Sequence, residues 1–457
     1  MKRFKGFVGV WSGVWLAVGL LSPGSVLASD TFADISLDTT LRSELAYGLN
    51  RHGVSKVRTT LEPELSGVLG ISLAGEQPDF LIKPRFSLDL ADDLTTRTDR
   101  PESYSSLNGP TWETRHGRAE LVEAWLEAEW DTVAGPTAVR LGKQQVVWGQ
   151  ADSLRVLDVV NPLNYREWTL SDYEDIRIPT WMANIEIADI GGPGEDASLQ
   201  WLIIPDMTFN ELVDAGSPFA VTSPELVPRP QPGVPVVVHD TQRPGRGHLE
   251  TGLRWSSFVQ GWDLAALMFY HYQDNPVLYR SFDEGRIAVS PEYQRTLLYG
   301  LSASNAFADW VVRLELAYST RNAVLREDLV DQGIYTTGEM TSVLGLDYQG
   351  LDNWFLSYQF YQSTLNNRPA AVIRKQTTVR HTLLGRRDFW NDTLELELKG
   401  LHNQDYNDGM LRAKLSWDVN DSWRLWTGAD LFYGDDDGPF GQFREQDRLV
   451  LGAEITF

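Results

Sequence analysis

Arg448-Leu449-Val450-Leu451-Gly452-Ala453-Glu454-Ile455-Thr456-Phe457 is a stretch in which apolar and polar side chains alternate. Successive side chains of a β-strand point to opposite faces, so one face carries Leu449, Leu451, Ala453, Ile455 and Phe457. The opposite face carries Arg448, Gly452, Glu454 and Thr456, with Val450 as the one apolar exception. By itself, the pattern fits either a strand between lipid and an aqueous lumen or an amphipathic edge strand of a soluble sheet.

The aromatic residue that closes this strand resembles the assembly signal of Gram-negative outer-membrane β-barrels. We therefore predict that Phe457 is such a signal. Alternation of the same kind recurs from Ile35 to Phe457, for example in residues 35–47, 56–73 and 80–90. Strands of about ten residues with one apolar face, repeated this often, favour a barrel over a soluble sandwich, whose strands are usually shorter.

The first 28 residues have the layout of a secretory signal peptide. Lys2, Arg3 and Lys5 precede an apolar run from Phe7 to Leu21, and the small-residue pattern Val26-Leu27-Ala28 follows. This layout predicts cleavage after Ala28 and leaves residues 29–457 as the folded part. A transmembrane anchor fits less well, because the run is short and is interrupted by Pro23 and Gly24.

The composition is acidic and contains no cysteine. The chain has 40 basic and 63 acidic residues, and its net charge of −23 becomes −26 without the three basic residues of the signal peptide. This balance disfavours nucleic-acid binding through phosphate contacts. The lack of cysteine excludes disulfides and thiolate metal sites. Residues 29–457 hold no run of 18 apolar residues, so no helical membrane span is predicted.

Short and long connections alternate between these segments. Short ones lie near residues 74–79, 131–136, 191–197, 257–261, 305–309, 349–353, 386–392 and 418–422. Outer-membrane barrels have short periplasmic turns and longer external loops. The sequence therefore predicts an all-β protein, a transmembrane antiparallel β-barrel of about 18 strands, or 16 if one hairpin is miscounted. Charges on the polar faces are predicted to line the lumen: Arg42, Arg58, Glu62, Lys83, Arg85, Asp89, Arg140 and Arg313.

Tryptophan residues follow the short turns. An indole ring prefers the level of lipid headgroups, where its N–H stays hydrated. A row of such residues at one end of the strands predicts an aromatic girdle at the periplasmic interface rather than scattered core positions. Its predicted members are Trp130, Trp262, Trp310, Trp354, Trp390, Trp417 and Trp423.

Residues 148–180 interrupt the alternation and crowd charges of both signs. This segment is the third long loop, and we expect it to fold into the barrel, since Val156, Leu157, Val159, Val160 and Leu163 are poorly placed in water. Opposed charges in a lumen sort solutes by charge. The alternative is a surface loop with solvated charges. The predicted constriction residues are Asp152, Arg155, Asp158, Arg166, Asp172, Glu174, Asp175 and Arg177.

Three stretches around this loop carry a family resemblance: Leu-Gly-Lys-Gln-Gln-Val-Val-Trp-Gly at residues 141–149, Asp158-Val159-Val160-Asn161-Pro162-Leu163, and Ile178-Pro179. They resemble a porin-like family of Gram-negative outer-membrane proteins whose function is largely unassigned. Its members are similar in architecture to alginate exporters and general porins, and some are associated with hydrophobic solutes. The resemblance implies a channel without naming its cargo.

Residues 205–247 contain eight prolines, which lack the backbone donor that a sheet interior needs. We interpret this segment as a long external loop; a linker between two domains is the alternative. Its boundaries and those of the 148–180 loop are the only subdivisions predicted within residues 29–457.

No enzyme motif is present. The seven histidines are scattered without an i, i+4 pair, and there is no Gly-x-Ser-x-Gly elbow. No cofactor and no metal is predicted. The expected function is passive passage of small solutes, including hydrophobic compounds, across the outer membrane. Two alternatives stay open: a plugged barrel that displays its loops to partners, and a transporter of hydrophobic compounds with a lateral exit. The expected partners are outer-membrane lipid, lipopolysaccharide, the barrel-assembly machinery and small solutes.

Overall fold

The computed structural model describes residues 32–73, 75–91, 103–152, 154–171, 173–192, 194–213, 216–245 and 247–457. The predicted signal peptide and Asp172 lie outside these residues. Strands dominate, and the helical segments of the described residues are α1 (Tyr173–Ile176) and two 3-10 turns, Val330–Gly333 and Gly441–Gln446. Within the described residues, no helix is long and apolar enough to cross a membrane.

The strands form one closed barrel and a small second sheet. The first half of the barrel contains β1 (Phe32–Gly48), β2 (Gly53–Leu69), β3 (Asp79–Asp89), β4 (Trp112–Thr114), β5 (Gly117–Thr132), β6 (Gly135–Gln144), β7 (Thr180–Ile187) and β8 (Glu195–Ile204). The second sheet consists of β9 (Val236–Val238), β12 (Val277–Asp283) and β13 (Arg286–Glu292). The rest of the barrel contains β10 (Glu250–Val259), β11 (Trp262–Tyr272), β14 (Arg295–Phe307), β15 (Trp310–Leu325), β16 (Ile334–Tyr348), β17 (Trp354–Leu365), β18 (Thr377–Phe389), β19 (Leu394–Asn403), β20 (Asp408–Asn420), β21 (Trp423–Tyr433) and β22 (Arg448–Thr456).

Eighteen antiparallel strands close the barrel, which confirms the predicted fold and the larger of the two predicted strand numbers. The short strand β4 only extends the pairing of β5. The last strand closes onto the first, with Thr456 opposite Thr40 and Arg448 opposite Gly48. Backbone pairing continues between all neighbouring wall strands in the described residues, without the break in one strand that a lateral exit requires.

Short turns lie at one end of the barrel and long loops at the other. We call these the turn end and the loop end. The tightest turns have two residues, as at Gln260 and Gly261, whose φ angles of 50° and 88° match the twist of a hairpin. The third long loop spans residues 145–179, close to the predicted 148–180. The loop at residues 205–249 is not wholly irregular, because β9 pairs with β13 at the edge of the second sheet, where its prolines do not interfere.

The two faces of the wall differ as predicted. Large apolar side chains such as Leu383 and Leu451 point outward and are 62% and 54% exposed. The inner face carries most of the charged side chains, whereas Val450 is an inward apolar residue, as the alternation indicated. The apolar core lies inside the barrel, between the 145–179 loop and the inner faces of β8, β11, β14 and β19–β21.

Candidate functional site

Residues 145–179, which we call the inward loop, pack an apolar surface against one half of the inner wall. Trp148 is buried, its ring lies 5.5 Å from that of Phe269, and its indole N–H donates to Gln200 at 2.6 Å. Glycines on the wall leave room for this surface. A Cβ at Gly252 would lie 2.4 Å from Trp148, and one at Gly300 would lie 2.5 Å from Leu157. The wall is therefore shaped to receive the loop.

A buried carboxylate attaches the loop to the wall beside the barrel closure. Glu167 lies 2.9 Å from Lys56, 2.7 Å from Arg58 and 2.8 Å from Arg448. Burial alone would raise the pKa of Glu167, but these three cations outweigh it and hold the pKa well below its usual range. Glu167 therefore remains ionised and links β2 and β22 to the loop.

A second attachment lies on β15, across the lumen. The Glu315 carboxylate accepts the backbone N–H groups of Ala151 at 3.0 Å and Leu157 at 3.3 Å. Next to it, Arg313 donates to Asp152 of the loop at 2.8 Å and lies 2.9 Å from Asp347 on β16. Since Glu167 and Glu315 hold the loop from different sides of the wall, the loop crosses the interior.

Four of the predicted constriction residues form largely buried ion pairs. Arg177 lies 2.8 Å from Asp158, and both side chains are about one tenth exposed. Arg155 lies 3.1 Å from Asp274, and Arg166 lies 2.9 Å from Glu211. Burial and ion pairing hold Arg155, Asp158 and Arg177 within the packed loop, whereas Arg166 also lines the larger cavity at the loop end. A role of these four residues in a constriction stays a prediction. A charge that is buried in the loop needs a partner nearby, so these residues form ion pairs within the packed region.

Glu211 ties the inward loop to its neighbours. It accepts hydrogen bonds from Arg118 on β5 at 2.9 Å and from the Tyr104 hydroxyl at 2.6 Å, besides pairing with Arg166. Burial opposes ionisation, but the two arginines lower the pKa of Glu211 to about 2. Burial instead raises the pKa of Asp274 to about 6, and the single ion pair with Arg155 does not offset it.

The inner wall from β1 to β6 remains open to water in part. The Arg42 guanidinium donates to Glu454 on β22 at 2.8 Å and to Asp175 of the inward loop at 3.0 Å. The side chains of Arg42 and Asp175 are 38% and 43% exposed, and Glu174 is also exposed. Of the predicted constriction residues, Asp152, Glu174 and Asp175 are therefore the ones found at the solvent-facing edge of the loop.

Cross-strand ion pairs continue along this wall. Those of Lys83 with Glu64, Arg85 with Glu62, and Arg140 with Glu127 join neighbouring strands. Opposite charges that face each other on adjacent strands stabilise the pairing of those strands. Among the other predicted lumen charges, Arg313 reaches the inward loop, whereas Asp89 is fully buried and pairs with Arg58 beneath Glu167.

The seven tryptophans of the predicted girdle all lie at the turn end. Trp262, Trp310, Trp354 and Trp423 each begin a strand, Trp130 and Trp417 lie near a strand end, and Trp390 lies in a turn. Their role at a membrane interface stays a prediction. Phe457 exchanges backbone hydrogen bonds with Thr39 at 2.9 and 3.0 Å, which extends the pairing of β22 with β1. Its role as an assembly signal also stays a prediction.

Two cavities flank the inward loop. The larger, of about 2190 Å³, opens at the loop end between the 205–249 loop and the second sheet, and its floor includes Arg58, Glu167 and Arg448. The smaller, of about 390 Å³, lies at the turn end against β8, β10, β11 and β14. No group of three or more His, Asp or Glu side chains that could hold a metal ion occurs in the part of the chain that the structure describes.

Residues 80–378 match the model of a family described as "Protein of unknown function (DUF1302)". The matched segment is more than half of the chain and contains the inward loop. The chain belongs to this family. The match confirms the predicted resemblance to a porin-like family without an assigned function. No curated protein matches the sequence.

Solved structures of porins are similar to this DUF1302 protein over nearly the whole chain. OmpF of Salmonella typhi, in complex with daunomycin, is 10% identical with a TM-score of 0.42, and the match covers 94% of this chain and 99% of that one. The outer membrane protein opdK of Pseudomonas aeruginosa is 10% identical with a TM-score of 0.48, covering 93% and 99%. A mutant porin of Rh. blastica is 12% identical with a TM-score of 0.41, covering 93% and 100%.

Sequence reasoning missed three residues that hold the inward loop of this DUF1302 protein: Glu167, Glu211 and Glu315. Glu315 follows the inward alternation of β15, so its face was predictable but its partners were not. Glu167 and Glu211 lie in loops, where alternation gives no information about direction. The sequence did contain a signal for the packing of the loop on this wall, although not for the three glutamates. The inward glycines Gly252 and Gly300 interrupt apolar strands at the positions that face Trp148 and Leu157.

Proposed function

We propose that this protein is an outer-membrane channel for small solutes. The wall supports a membrane location, because leucines around the barrel point outward and are about half exposed, as at Leu301, Leu383 and Leu451. Exposed apolar area on this scale is a liability in water but fits lipid. Lipid and lipopolysaccharide would then cover the outer face, and the assembly machinery would recognise the terminal strand that ends at Phe457.

The observation that carries the channel proposal is the uneven filling of the barrel. On the side of β8, β11 and β14 the inward loop packs tightly, as buried Trp148 and Leu157 show. On the side of β1–β6, away from the buried attachment at Glu167, the loop meets the wall through partly exposed ion pairs, such as Arg42 with Asp175. We infer that solutes pass between this edge of the loop and the charged wall, by diffusion rather than by an enzymatic step.

The charges along this route favour cations. Apart from the side chains around Glu167, four partly exposed basic residues face at least seven acidic ones: Arg42, Lys83, Arg85 and Arg140 against Glu62, Glu64, Glu120, Glu123, Glu127, Asp175 and Glu454. An excess of one sign in a narrow aqueous passage raises the local concentration of counter-ions. We expect a reversal potential that shows a preference for cations in a salt gradient.

The loop-end cavity would serve as the entrance. Apolar side chains such as Val236, Leu278 and Ile287 line it together with Arg58 and Arg448. Mostly apolar cavities with a few polar groups are typical of small-molecule sites. Solutes with apolar parts, which include hydrophobic compounds, would therefore be admitted to this entrance.

The test uses the lack of cysteine in the chain. Glu127 and Leu126 are neighbours on opposite faces of β5, and Glu127 pairs with Arg140 on the inner face. Each is replaced by cysteine, and single-channel conductance of the refolded barrel is measured in a planar bilayer before and after a charged methanethiosulfonate reagent. We expect the reagent to reduce conductance in Glu127→Cys and to leave Leu126→Cys unchanged. A folded wild-type barrel without conductance would refute the channel, and equal effects on both variants would refute the route.

A further inference from the structure

The turn-end cavity contains a cation that forms no ion pair within the described residues. Arg254 on β10 lines this cavity, and its buried Nε has no hydrogen-bond partner. Its cross-strand neighbours are Gln200 on β8 and Leu267 on β11. Gln200 already accepts from Trp148 and donates to Asn184 at 3.1 Å. The guanidinium has no ion pair or hydrogen bond within the described residues.

This situation contrasts with that of Arg140 and Arg386 on the same barrel. Arg140 faces Glu127 directly across the strands, and Arg386 faces Glu397. The corresponding residue beside Arg254 is neutral Gln200, and the Glu186 carboxylate lies one strand further away, opposite Gln200. Placing a cation in a partly buried position without a carboxylate costs free energy, so a ligand that supplies the carboxylate would recover it.

The same cavity offers acceptors as well. The Oε1 atom of Gln150 on the inward loop is buried and has no hydrogen-bond partner in the described residues. Asp196 and Asp263 also line the cavity, and both residues are exposed. One cation and two carboxylates leave the cavity with an excess negative charge, which would repel a simple anion. A ligand that carries both a carboxylate and an ammonium group would match both kinds of partner.

We propose that this cavity binds small zwitterionic carboxylates, the class to which free amino acids belong. Arg254 would hold the carboxylate through two N–H groups of its planar guanidinium, a geometry suited to this group. Gln150 and the aspartates would accept from the ammonium group. The cavity of about 390 Å³ lies within the usual range for small-molecule sites, and Leu264 and Ala265 give it an apolar side. Binding at this cavity does not require the proposed channel. Only a role of the bound solute in transport rests on that proposed function.

Three probes separate the two charges of the ligand. L-Leucine carries both, 2-hydroxy-4-methylpentanoate lacks the ammonium group, and isopentylamine lacks the carboxylate. Binding is measured by isothermal titration calorimetry on the refolded full-length barrel in detergent at neutral pH and low salt. We expect leucine to bind at least roughly tenfold more tightly than either analogue, because each analogue leaves buried polar groups unpaired. Equal affinities for the three probes, or no binding of leucine at millimolar concentrations, would overturn the proposal.

Variants test the assignment of Arg254. Arg254→Gln should weaken leucine binding by roughly tenfold or more and raise the thermal midpoint, because an unpaired cation is removed. Asp263→Asn should weaken binding of leucine but not of the hydroxy acid. Arg286→Gln, in the exposed hairpin of the second sheet, serves as the matched control and should change neither. Unchanged leucine binding in Arg254→Gln would refute the site.

These experiments distinguish a failure of the binding proposal from a failure of the channel proposal. Calorimetry in detergent requires a folded barrel but no ion flow, whereas the bilayer experiment requires ion flow but no leucine. Leucine binding to a barrel without conductance would overturn the channel and leave the binding site in place. Conductance without leucine binding would overturn the site and leave the channel in place.

Discussion

Neutralising Glu167 is the sharpest perturbation that the structure offers, because one buried carboxylate meets three cations. In Glu167→Gln the shape of the side chain is kept, but three charge-assisted contacts, at 2.9, 2.7 and 2.8 Å, are lost or weakened. The amide also places N–H groups towards cations. The expected result is a less stable barrel whose inward loop is detached at one end.

The expected loss of stability depends on the carboxylates that remain paired with the three cations. Lys56 keeps Glu44 at 2.8 Å, Arg58 keeps Asp89 at 3.1 Å, and Arg448 keeps Asp430 at 2.8 Å. Breaking a buried ion pair costs roughly 3–5 kcal/mol when the partner is left unpaired. Since none of these cations is left without a carboxylate, we expect the lower end, about 3 kcal/mol of unfolding free energy.

The assay is urea-induced unfolding of the refolded barrel in lipid vesicles, followed by tryptophan fluorescence. Glu284→Gln is the control, because Glu284 forms an ion pair with Arg286 and is 71% exposed. Such exposed pairs contribute no more than about 1 kcal/mol. A loss below about 1 kcal/mol in Glu167→Gln, or no difference from the control, would refute the role of Glu167 as an attachment point.

The pH dependence of the Glu167→Gln difference has a definite sign. The folded-state pKa of Glu167 is lowered well below its usual range by Lys56, Arg448 and Arg58, against the opposing effect of burial. A carboxyl group with a lowered folded pKa stabilises the protein above its unfolded pKa of about 4.3 and loses this contribution as the pH falls through the folded pKa. The difference between wild type and variant should therefore be constant at neutral pH and shrink in acid.

Two further substitutions separate the packed side of the inward loop from its aqueous edge. Trp148→Ala should lower the free energy of unfolding by about 3–5 kcal/mol, measured in the same urea assay, because it leaves a cavity against Phe269; no loss of stability would contradict the packed interior. Asp175→Asn removes a negative charge beside Arg42 at the edge of the proposed route, so the reversal potential in a salt gradient should move towards anions with the fold intact; an unchanged potential would contradict that route.

The barrel was predictable because the side of the wall on which a residue lies depends only on its neighbours along the strand. Alternation assigns each wall residue to a face, so the outward position of Leu451 and the inward position of Arg42 follow from a period of two. The alternation of short and long connections then gave the strand number and identified the third long loop. These features need no knowledge of which residues meet across the interior.

The interior contacts were predictable only in part, because a loop has no fixed period. The apolar residues of the inward loop indicated that it enters the barrel, and Trp148 and Leu157 do so. The same pattern could not tell Asp158, which is buried against Arg177, from Asp175, which faces water. Burial of a charged residue depends on a partner, and the partners of Arg155 and Arg166 lie in other loops, at Asp274 and Glu211.

The residues of the inner wall determine which side of the lumen is packed and which side holds water. Where the loop packs, the inner face carries glycines such as Gly252 and Gly300, whose missing side chains make room for Trp148 and Leu157. Where the loop does not pack, the inner face carries charges that pair across strands, as Arg140 does with Glu127. Charged side chains resist burial unless each finds a partner, whereas an apolar recess is stabilised by being filled. The loop therefore packs against the part of the wall that carries the glycines, and the aqueous space lies beside the part that carries the charges.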